Sequence, residues 1–313
     1  MLKRLLILTA VMITSVLSTY AQWDVQFSDY TTLKSYYNPG VAGTDGKLDV
    51  AAAYSLQMAG YDDAPRTMFL SATLPVYFLG PRHGAGASLY SDEIGIFKTQ
   101  QINLQYAFNM KMGKKGQLAV GVQGSMLNET IDPKDLKLEQ ENDPAFPSSS
   151  VDGNGFDLGV GLYYYNPKFW AGIAAQHLTA PSLEMGETYQ IDIQRTYNLM
   201  GGCNIKIKNT LLSLQPSFLV QTDIDNWRED LQCKVTYEYE GRKFYAGVGY
   251  SPSTSVTALI GGNFRGIQLG YSYQMYTGGV GILYGAHEIT MSYSTDLDLF
   301  KKGRNRHQSS RYL

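Results

Sequence analysis

The four histidines are the side chains best suited to acid–base or metal chemistry, and their positions favour neither. His83 lies in a predicted turn, His177 at a predicted strand end, His287 on the apolar face of a predicted strand and His307 in a basic tail. None has a convincing serine or cysteine partner for nucleophilic catalysis. No spacing of His and Cys matches a zinc site. The sequence therefore predicts a protein that is not an enzyme.

Two further candidates for metal chemistry are weak. His287 and Glu288 lack the second histidine of the H-E-x-x-H motif, and a strand would turn the two side chains to opposite faces. The acidic loop 132–152 lacks the one-three-five spacing of an EF-hand. No glycine-rich nucleotide-binding pattern lies at a strand-to-helix junction, and the net charge of -2 gives no nucleic-acid signal. We expect no metal, no cofactor and no nucleic-acid partner.

A two-residue hydrophobic period runs through most of the chain and predicts β-strands. The segment IQLGYSYQMY at 267–276, for example, alternates apolar residues with glutamine, glycine and serine. In a soluble sandwich the apolar faces would form a shared core, whereas in an outer-membrane barrel they would face lipid and the polar faces would line the lumen. Strands are predicted at fourteen segments: 48–58, 67–78, 84–91, 97–112, 117–128, 155–165, 168–178, 195–207, 211–222, 228–240, 243–251, 255–264, 267–277 and 286–294.

The lengths of the connections favour the barrel. Every second predicted connection is tight, and the two longest, 128–154 and 178–194, fall among the others. Bacterial outer-membrane barrels are built with short periplasmic turns and long extracellular loops, whereas a sandwich has no reason to keep this parity. We therefore predict an all-β fold, a transmembrane antiparallel barrel of about 14 strands spanning 48–294. An even strand number places both termini on the short-turn, periplasmic side.

The segments outside the barrel have distinct predicted roles. Lys3 and Arg4 precede an apolar run at 5–17, and the pattern ending at Ala21 predicts a secretory signal peptide over 1–21. Residues 22–47 form a turn-rich lead-in, and 295–313 a basic periplasmic tail. No later segment approaches the roughly 18 apolar residues of a spanning helix. The two cysteines are too few for a disulfide scaffold and are interpreted as lipid-facing or packing residues.

Charged side chains are sorted between the two predicted ends of the barrel in the same way as loop lengths. Basic side chains concentrate in the short turns and the tail, and acidic side chains in the opposite loops. This sorting has two interpretations, an affinity for anionic headgroups of the outer-membrane lipid or a periplasmic docking surface for a partner protein. The candidate docking residues are Lys114, Lys115, Arg242, Lys243, Lys301, Lys302, Arg304 and Arg306.

Motifs at the two ends of the predicted barrel carry a family resemblance. F-S-D-Y at 27–30 and N-P-G-V-A-G at 38–43 resemble the amino-terminal signature of the PorP/SprF family, and G-A-H-E-I at 285–289 resembles the start of its last strand. The resemblance covers essentially the whole mature chain. Two departures are Gly40, where the family commonly has alanine, and Trp23-Asp24-Val25, where it often has Asp-Pro.

The resemblance implies an outer-membrane barrel of the type IX secretion system of Bacteroidetes. Such barrels are linked to secretion or surface attachment of large adhesins that carry a carboxy-terminal sorting domain, and to periplasmic motor and ring components. The alternative function is a passive or substrate-specific channel. We expect a structural role for the matching residues: Asn-Pro-Gly would fix a turn, and Gly285 would permit close entry into the last strand. The matching positions are Phe27, Tyr30, Asn38, Pro39, Gly43, Gly285, His287 and Glu288.

Overall fold

The computed structural model describes residues 24–61, 63–76, 83–133, 149–186, 189–208, 210–252, 254–278 and 284–296. The predicted signal peptide, residues 134–148 of the acidic loop, His307 and the four candidate docking residues of the tail lie outside this part of the chain. No helix in the described ranges is long and apolar enough to cross a bilayer.

The described residues form seventeen strands, one α-helical turn and one 3-10 turn. The helical elements are α1 (Lys34–Tyr37) and the 3-10 turn Pro39–Val41. The strands are β1 (Leu48–Leu56), β2 (Arg66–Pro75), β3 (His83–Ile94), β4 (Phe97–Met112), β5 (Gly116–Ile131), β6 (Val151–Tyr165), β7 (Phe169–Gln176), β8 (Ser182–Met185), β9 (Tyr189–Asp192), β10 (Thr196–Cys203), β11 (Ile205–Lys206), β12 (Leu212–Thr222), β13 (Trp227–Tyr239), β14 (Arg242–Ser251), β15 (Ser255–Phe264), β16 (Ile267–Tyr276) and β17 (Ala286–Thr295).

Fourteen of these strands close into one antiparallel barrel. β1 pairs with both β2 and β17, and β10 pairs with both β7 and β12, so the ring of hydrogen bonds is complete. The predicted barrel is confirmed, and each of its strands ends within four residues of the predicted bounds. Two features were not predicted: the β8–β9 hairpin, inside one long connection, and β11, a two-residue strand beside β12.

The apolar faces of the strands point away from the lumen. Leu104 on β4 and Met126 on β5 are 67% and 68% exposed, whereas their neighbours Asn103, Gln105 and Ser125 are buried inside the barrel. An apolar exterior around a polar interior is the arrangement expected of a barrel whose solvent is lipid. Cys203 and Cys233, on β10 and β13, are free thiols of intermediate burial.

The connections define two ends of the barrel. The long-loop end carries connections 57–65, 95–96, 132–150, 177–195, 223–226, 252–254 and 277–285, and the short-turn end carries 76–82, 113–115, 166–168, 204–211, 240–241 and 265–266. Three of the long-loop-end connections, 95–96, 223–226 and 252–254, are also short. The longest connections therefore all lie at one end of the barrel, as predicted, but not every connection at that end is long.

The lead-in, residues 24–46, passes through the barrel lumen. Asp24 lies beside His177 at the long-loop end, and the Tyr165 hydroxyl donates to the carbonyl of Thr44 near the short-turn end, 3.1 Å away. The prediction that both termini lie at the short-turn end is wrong for the described start of the chain. An even strand number determines where β1 begins, but it does not determine the path of the residues before β1.

The hydrophobic core of the protein lies inside the barrel, where the lead-in meets the wall. Phe27 and Tyr36 pack edge to face with ring centroids 5.2 Å apart, and Tyr36 packs on Phe69 of β2 at 5.3 Å. Such aromatic pairs stabilise a fold beyond the area they bury. The core residues are Val25, Phe27, Tyr30, Leu33, Tyr36 and Tyr37 from the lead-in, and Ala51, Ala53, Phe69, Tyr90, Met200 and Leu219 from the wall.

Candidate functional site in the barrel lumen

The N-P-G turn of the lead-in is fixed to the barrel wall by one asparagine. The Asn38 side-chain oxygen accepts the backbone N–H of Gly40 at 2.8 Å, which caps the 3-10 turn. Its amide nitrogen donates to the carbonyls of Leu162 on β6 (3.0 Å) and Ile173 on β7 (3.3 Å). The predicted turn is present, and Asn38 also ties this turn to two adjacent strands.

Glycines on the wall make room for this turn. A Cβ at Gly172 would lie 2.6 Å from the Asn38 amide nitrogen, and a Cβ at Gly161 would clash with the Asn38 side-chain oxygen. A Cβ at Gly121 would clash with the backbone of Gly40, and one at Gly84 with the carbonyl of Ala42. We refer to Gly84, Gly121, Gly161 and Gly172 as the wall glycines. Their missing side chains allow two backbones to approach closely.

Amide side chains of the wall donate hydrogen bonds to the backbone carbonyls of α1. The predicted polar inner face is present, but beside the lead-in it is filled by the chain rather than by water. Buried carbonyls at the end of a helical turn need donors, and these amides supply them. The bonds run from Gln105 to the carbonyl of Ser35 (2.8 Å), from Gln176 to that of Tyr36 (2.7 Å) and from Asn198 to that of Tyr37 (3.2 Å).

A buried pair of opposite charges anchors the F-S-D-Y segment. The Lys234 ammonium on β13 lies 2.5 Å from Asp29 Oδ1 and also donates to the Thr31 hydroxyl at 2.7 Å. The same ammonium lies 4.7 Å from the centre of the Tyr245 ring. A buried charge is tolerated only when it is paired, so this pair requires the lead-in to occupy one position.

The last strand supplies a second anchor beside the first. Glu288 on β17 accepts the backbone N–H groups of Ser28 at 2.7 Å and Asp29 at 2.9 Å. The two motifs that carry the family resemblance, near residues 28 and 288, therefore contact each other directly.

His177 anchors the start of the lead-in at the long-loop end. Its Nε2 lies 3.2 Å from Asp24 Oδ1, and its Nδ1 lies 2.9 Å from Asp157 Oδ2. Burial alone would lower the pKa of His177, but the adjacent carboxylates outweigh burial and raise the pKa to about 10. Burial alone would raise the pKa of Asp24, and His177 more than reverses that effect, so the pKa lies below its ordinary value.

The other predicted family positions are distributed as follows. The Tyr30 hydroxyl lies 2.9 Å from Ser217 Oγ on β12, and Gly43 has a φ of +68°, which favours glycine. Gly285 packs against the ring of Tyr273. His287 differs from the others because it faces outward, with Nδ1 2.7 Å from the Tyr271 hydroxyl. Six of the eight positions thus lie in the lead-in or contact it directly, and Gly285 and His287 do not.

The described candidate docking residues lie at the short-turn end. Lys114 and Lys115 are exposed in the turn 113–115, and Arg242 and Lys243 are exposed at the start of β14. The Lys243 ammonium lies 3.7 Å from Glu238. Their role in docking remains a prediction.

Sequence reasoning missed two charged contacts of the lead-in, Asp24–His177 and Asp29–Lys234, and the adjacent contact His177–Asp157. The sequence did contain one signal, Lys234, which lies on the inward face of β13 between Gln232 and Thr236. A charged side chain that faces the interior of a barrel needs a partner of opposite charge. Within the described residues, no group of three or more His, Cys, Asp or Glu side chains is placed to hold a metal ion.

Comparison with known protein families gives a match over most of the chain. The family model described as "Type IX secretion system membrane protein PorP/SprF" matches residues 19–293, which include the lead-in and almost all of the last strand. The chain belongs to the PorP/SprF family. The resemblance of the terminal motifs is thereby confirmed, and the protein is an outer-membrane barrel of a type IX secretion family.

Solved structures with a similar fold include other barrels. A FadL homologue of Pseudomonas aeruginosa is 13% identical, with 80% of this chain and 89% of that chain covered and a TM-score of 0.48. The toluene transporter TodX of P. putida is 10% identical, with 83% and 92% covered and a TM-score of 0.46. Similarities at this level carry no inference about function. No curated protein matches the PorP/SprF chain.

Proposed function

We propose that this PorP/SprF protein is a plugged, non-enzymatic barrel that supports secretion or surface attachment of cargo by binding partner proteins. The observation that carries the proposal is the lead-in inside the lumen. A barrel of fourteen strands is wide enough to need an interior filling or to conduct. Here residues 24–46 supply the filling, with polar bonds from β6, β7, β10, β13 and β17.

The partners follow from the family and from the charge distribution. Type IX secretion implies cargo with a carboxy-terminal sorting domain and periplasmic motor or ring components. The exposed turn with Lys114 and Lys115 at the short-turn end suits an acidic periplasmic partner, because opposite charges accelerate association. Both the tail and this end are then periplasmic, and the lead-in reaches that end after crossing the lumen.

A channel is the second candidate, and one observation favours it. The lead-in leaves a cavity of about 310 Å³ at the long-loop end and another of about 450 Å³ at the short-turn end. Cavities at both ends would serve a channel whose lead-in moves aside. The seated lead-in predicts the opposite, a barrel with near-zero resting conductance.

Two measurements in parallel separate these functions. Wild-type protein and a variant lacking residues 24–46 are compared in planar bilayers, and both are expressed in a deletion strain with surface proteins as the readout. We expect near-zero conductance for the wild type, large conductance for the variant, and loss of surface proteins in the uncomplemented strain. Large steady wild-type conductance, together with normal surface proteins in the deletion strain, would establish the channel instead.

A further inference from the structure

The cavity at the long-loop end has two apolar sides. Ile94 on β3 and Leu127 on β5 form one apolar side, and Ile191 on β9 and Ile193 just after it form another. The β8–β9 hairpin belongs to the long connection 177–195. This second side of the cavity is therefore formed by a loop and not by a barrel strand. An apolar cavity with a few polar groups is the usual form of a binding site.

Two carboxylates face into this cavity from the two strands that flank β4. Asp92 on β3 and Glu129 on β5 flank Thr99 on β4, since Asp92 pairs with Thr99 and Thr99 with Glu129 in the strand register. Their backbones are therefore two strand spacings, roughly 10 Å, apart. Asp92 is 5% exposed and Glu129 is 8% exposed. One cationic group could lie between the two side chains.

Neither carboxylate has a cationic partner in the described part of the chain. Asp92 accepts one hydrogen bond from the Thr67 hydroxyl at 2.7 Å, and Glu129 accepts one from the Thr99 hydroxyl at 3.0 Å. No described basic side chain lies within ion-pair distance of either. The nearby imidazole, His177, is already between Asp24 and Asp157. Buried carboxylates without a counter-charge are costly, so a cationic group bound in this cavity would stabilise the charged form of both side chains.

We infer that this cavity binds a lysine or arginine side chain of an exported polypeptide. The ammonium or guanidinium pairs with Asp92 and Glu129, and the aliphatic stem lies against Ile191 and Ile193. Long basic side chains have this division into an apolar stem and a charged end. The inference rests on the proposed secretion function, because that function brings exported polypeptides to the barrel.

The test uses two labelled peptides and the full-length barrel in detergent. Acetyl-Leu-Lys-Leu-amide and acetyl-Leu-Gln-Leu-amide, each with a fluorophore, are titrated by anisotropy. We expect the lysine peptide to bind at least tenfold more tightly than the glutamine peptide. The double variant Asp92→Asn, Glu129→Gln should abolish that difference, whereas the control Asp49→Asn, which removes a carboxylate lining the other cavity, should preserve it.

A second variant keeps the test decisive if the double variant does not fold. Ile191→Ser with Ile193→Ser should weaken both peptides by a similar factor while the preference for lysine remains. Equal affinity of the two peptides for the wild type would overturn the inference. So would n-butylamine competing as well as the lysine peptide, which indicates a small-amine site.

A secretion assay separates this inference from the proposed function. In the deletion strain, the double carboxylate variant should reach the outer membrane at the wild-type level and restore fewer surface proteins. Full restoration by this variant, with no restoration by the empty vector, would overturn the cavity's role and leave the secretion function standing. Normal surface proteins in the uncomplemented strain would overturn the secretion function itself.

Discussion

Glu288 accepts the backbone N–H of Asp29 at 2.9 Å, although 259 residues separate the two along the chain. The same carboxylate accepts the N–H of Ser28 at 2.7 Å. The last strand of the barrel therefore holds the first described segment of the chain. We expect this contact to keep the lead-in seated in the lumen.

Replacing Glu288 with alanine should release this part of the lead-in. The substitution leaves the buried N–H of Asp29 and the partly buried N–H of Ser28 without this acceptor, and a buried N–H left without an acceptor costs about 1–3 kcal/mol. We expect more frequent open-channel events in planar bilayers and a lower midpoint for heat-modified gel migration. Glu238→Ala is the control, because Glu238 is exposed and its ion pair with Lys243 lies on the surface, away from the lead-in. Identical behaviour of the two variants would contradict an anchoring role for Glu288.

Two glycines of β5 give a matched test of the close approach between lead-in and wall. A Cβ at Gly121 would clash with the backbone of Gly40, whereas a Cβ at Gly124 would lie 3.8 Å from the Phe156 ring, an ordinary contact. We therefore expect Gly121→Ala to destabilise the seated lead-in by about 1–3 kcal/mol and Gly124→Ala to leave it seated. Limited proteolysis of the lead-in measures the difference. Equal protection in both variants would show that the wall tolerates a side chain at Gly121.

The His177 contacts predict a dependence of stability on pH. The folded pKa of about 10 lies above the ordinary 6.5. The charged His177 therefore adds its full contribution to the free energy of unfolding below about pH 6.5. That contribution is lost as the pH rises toward 10, at up to about 1.4 kcal/mol per pH unit. The lowered pKa of Asp24 affects only pH values below its ordinary 3.8, so it does not compensate.

Urea unfolding of the detergent-solubilised barrel between pH 6 and 10 measures this effect. The wild-type midpoint should fall across the window, and His177→Gln should start lower and vary less. If the two proteins lose stability in parallel, the imidazole is not charged at neutral pH.

The basic turn at the short-turn end predicts a salt-sensitive partner. Reversing Lys114 and Lys115 to glutamate should leave the barrel assembled and weaken co-purification of periplasmic type IX components. The loss should grow with salt, since exposed charges are screened beyond about 10 Å at 0.1 M. Arg66→Glu is the control, because Arg66 is exposed at the start of β2, at the opposite end.

Removing residues 301–313 should have the same effect as the reversal. Unchanged co-purification of both variants at every salt concentration would show that the basic end contacts only lipid headgroups.

The barrel itself could be predicted because its signal is local. Alternation in β16 or β4 involves neighbouring residues, and the faces of a strand follow from its period of two. The contacts of the lead-in are different in kind. Asn38 meets the carbonyl of Leu162, 124 residues away, and no periodicity in residues 24–46 indicates which wall they contact. The turn at Asn-Pro-Gly was predictable, but its position in the lumen was not.

The charged contacts of the lead-in were hard to predict for the same reason. His177 could be judged only as an isolated histidine at a strand end, because its partner Asp24 is far away in sequence. Lys234 and Glu288 were easier to single out from the sequence. Both occupy inward positions of strands that the alternation of apolar and polar residues predicts. Ionisable side chains in such positions require partners, even where the sequence does not identify them.

The path of the lead-in also constrains the order in which its contacts with the barrel form. Residues 24–46 lie within a closed ring of strands, and their bonds to β13 and β17 join the first described segment to later strands of the barrel. Contacts between distant residues form slowly because a long loop must first close. The lead-in, which precedes every barrel strand in the chain, therefore completes its contacts only after the last strand has been synthesised.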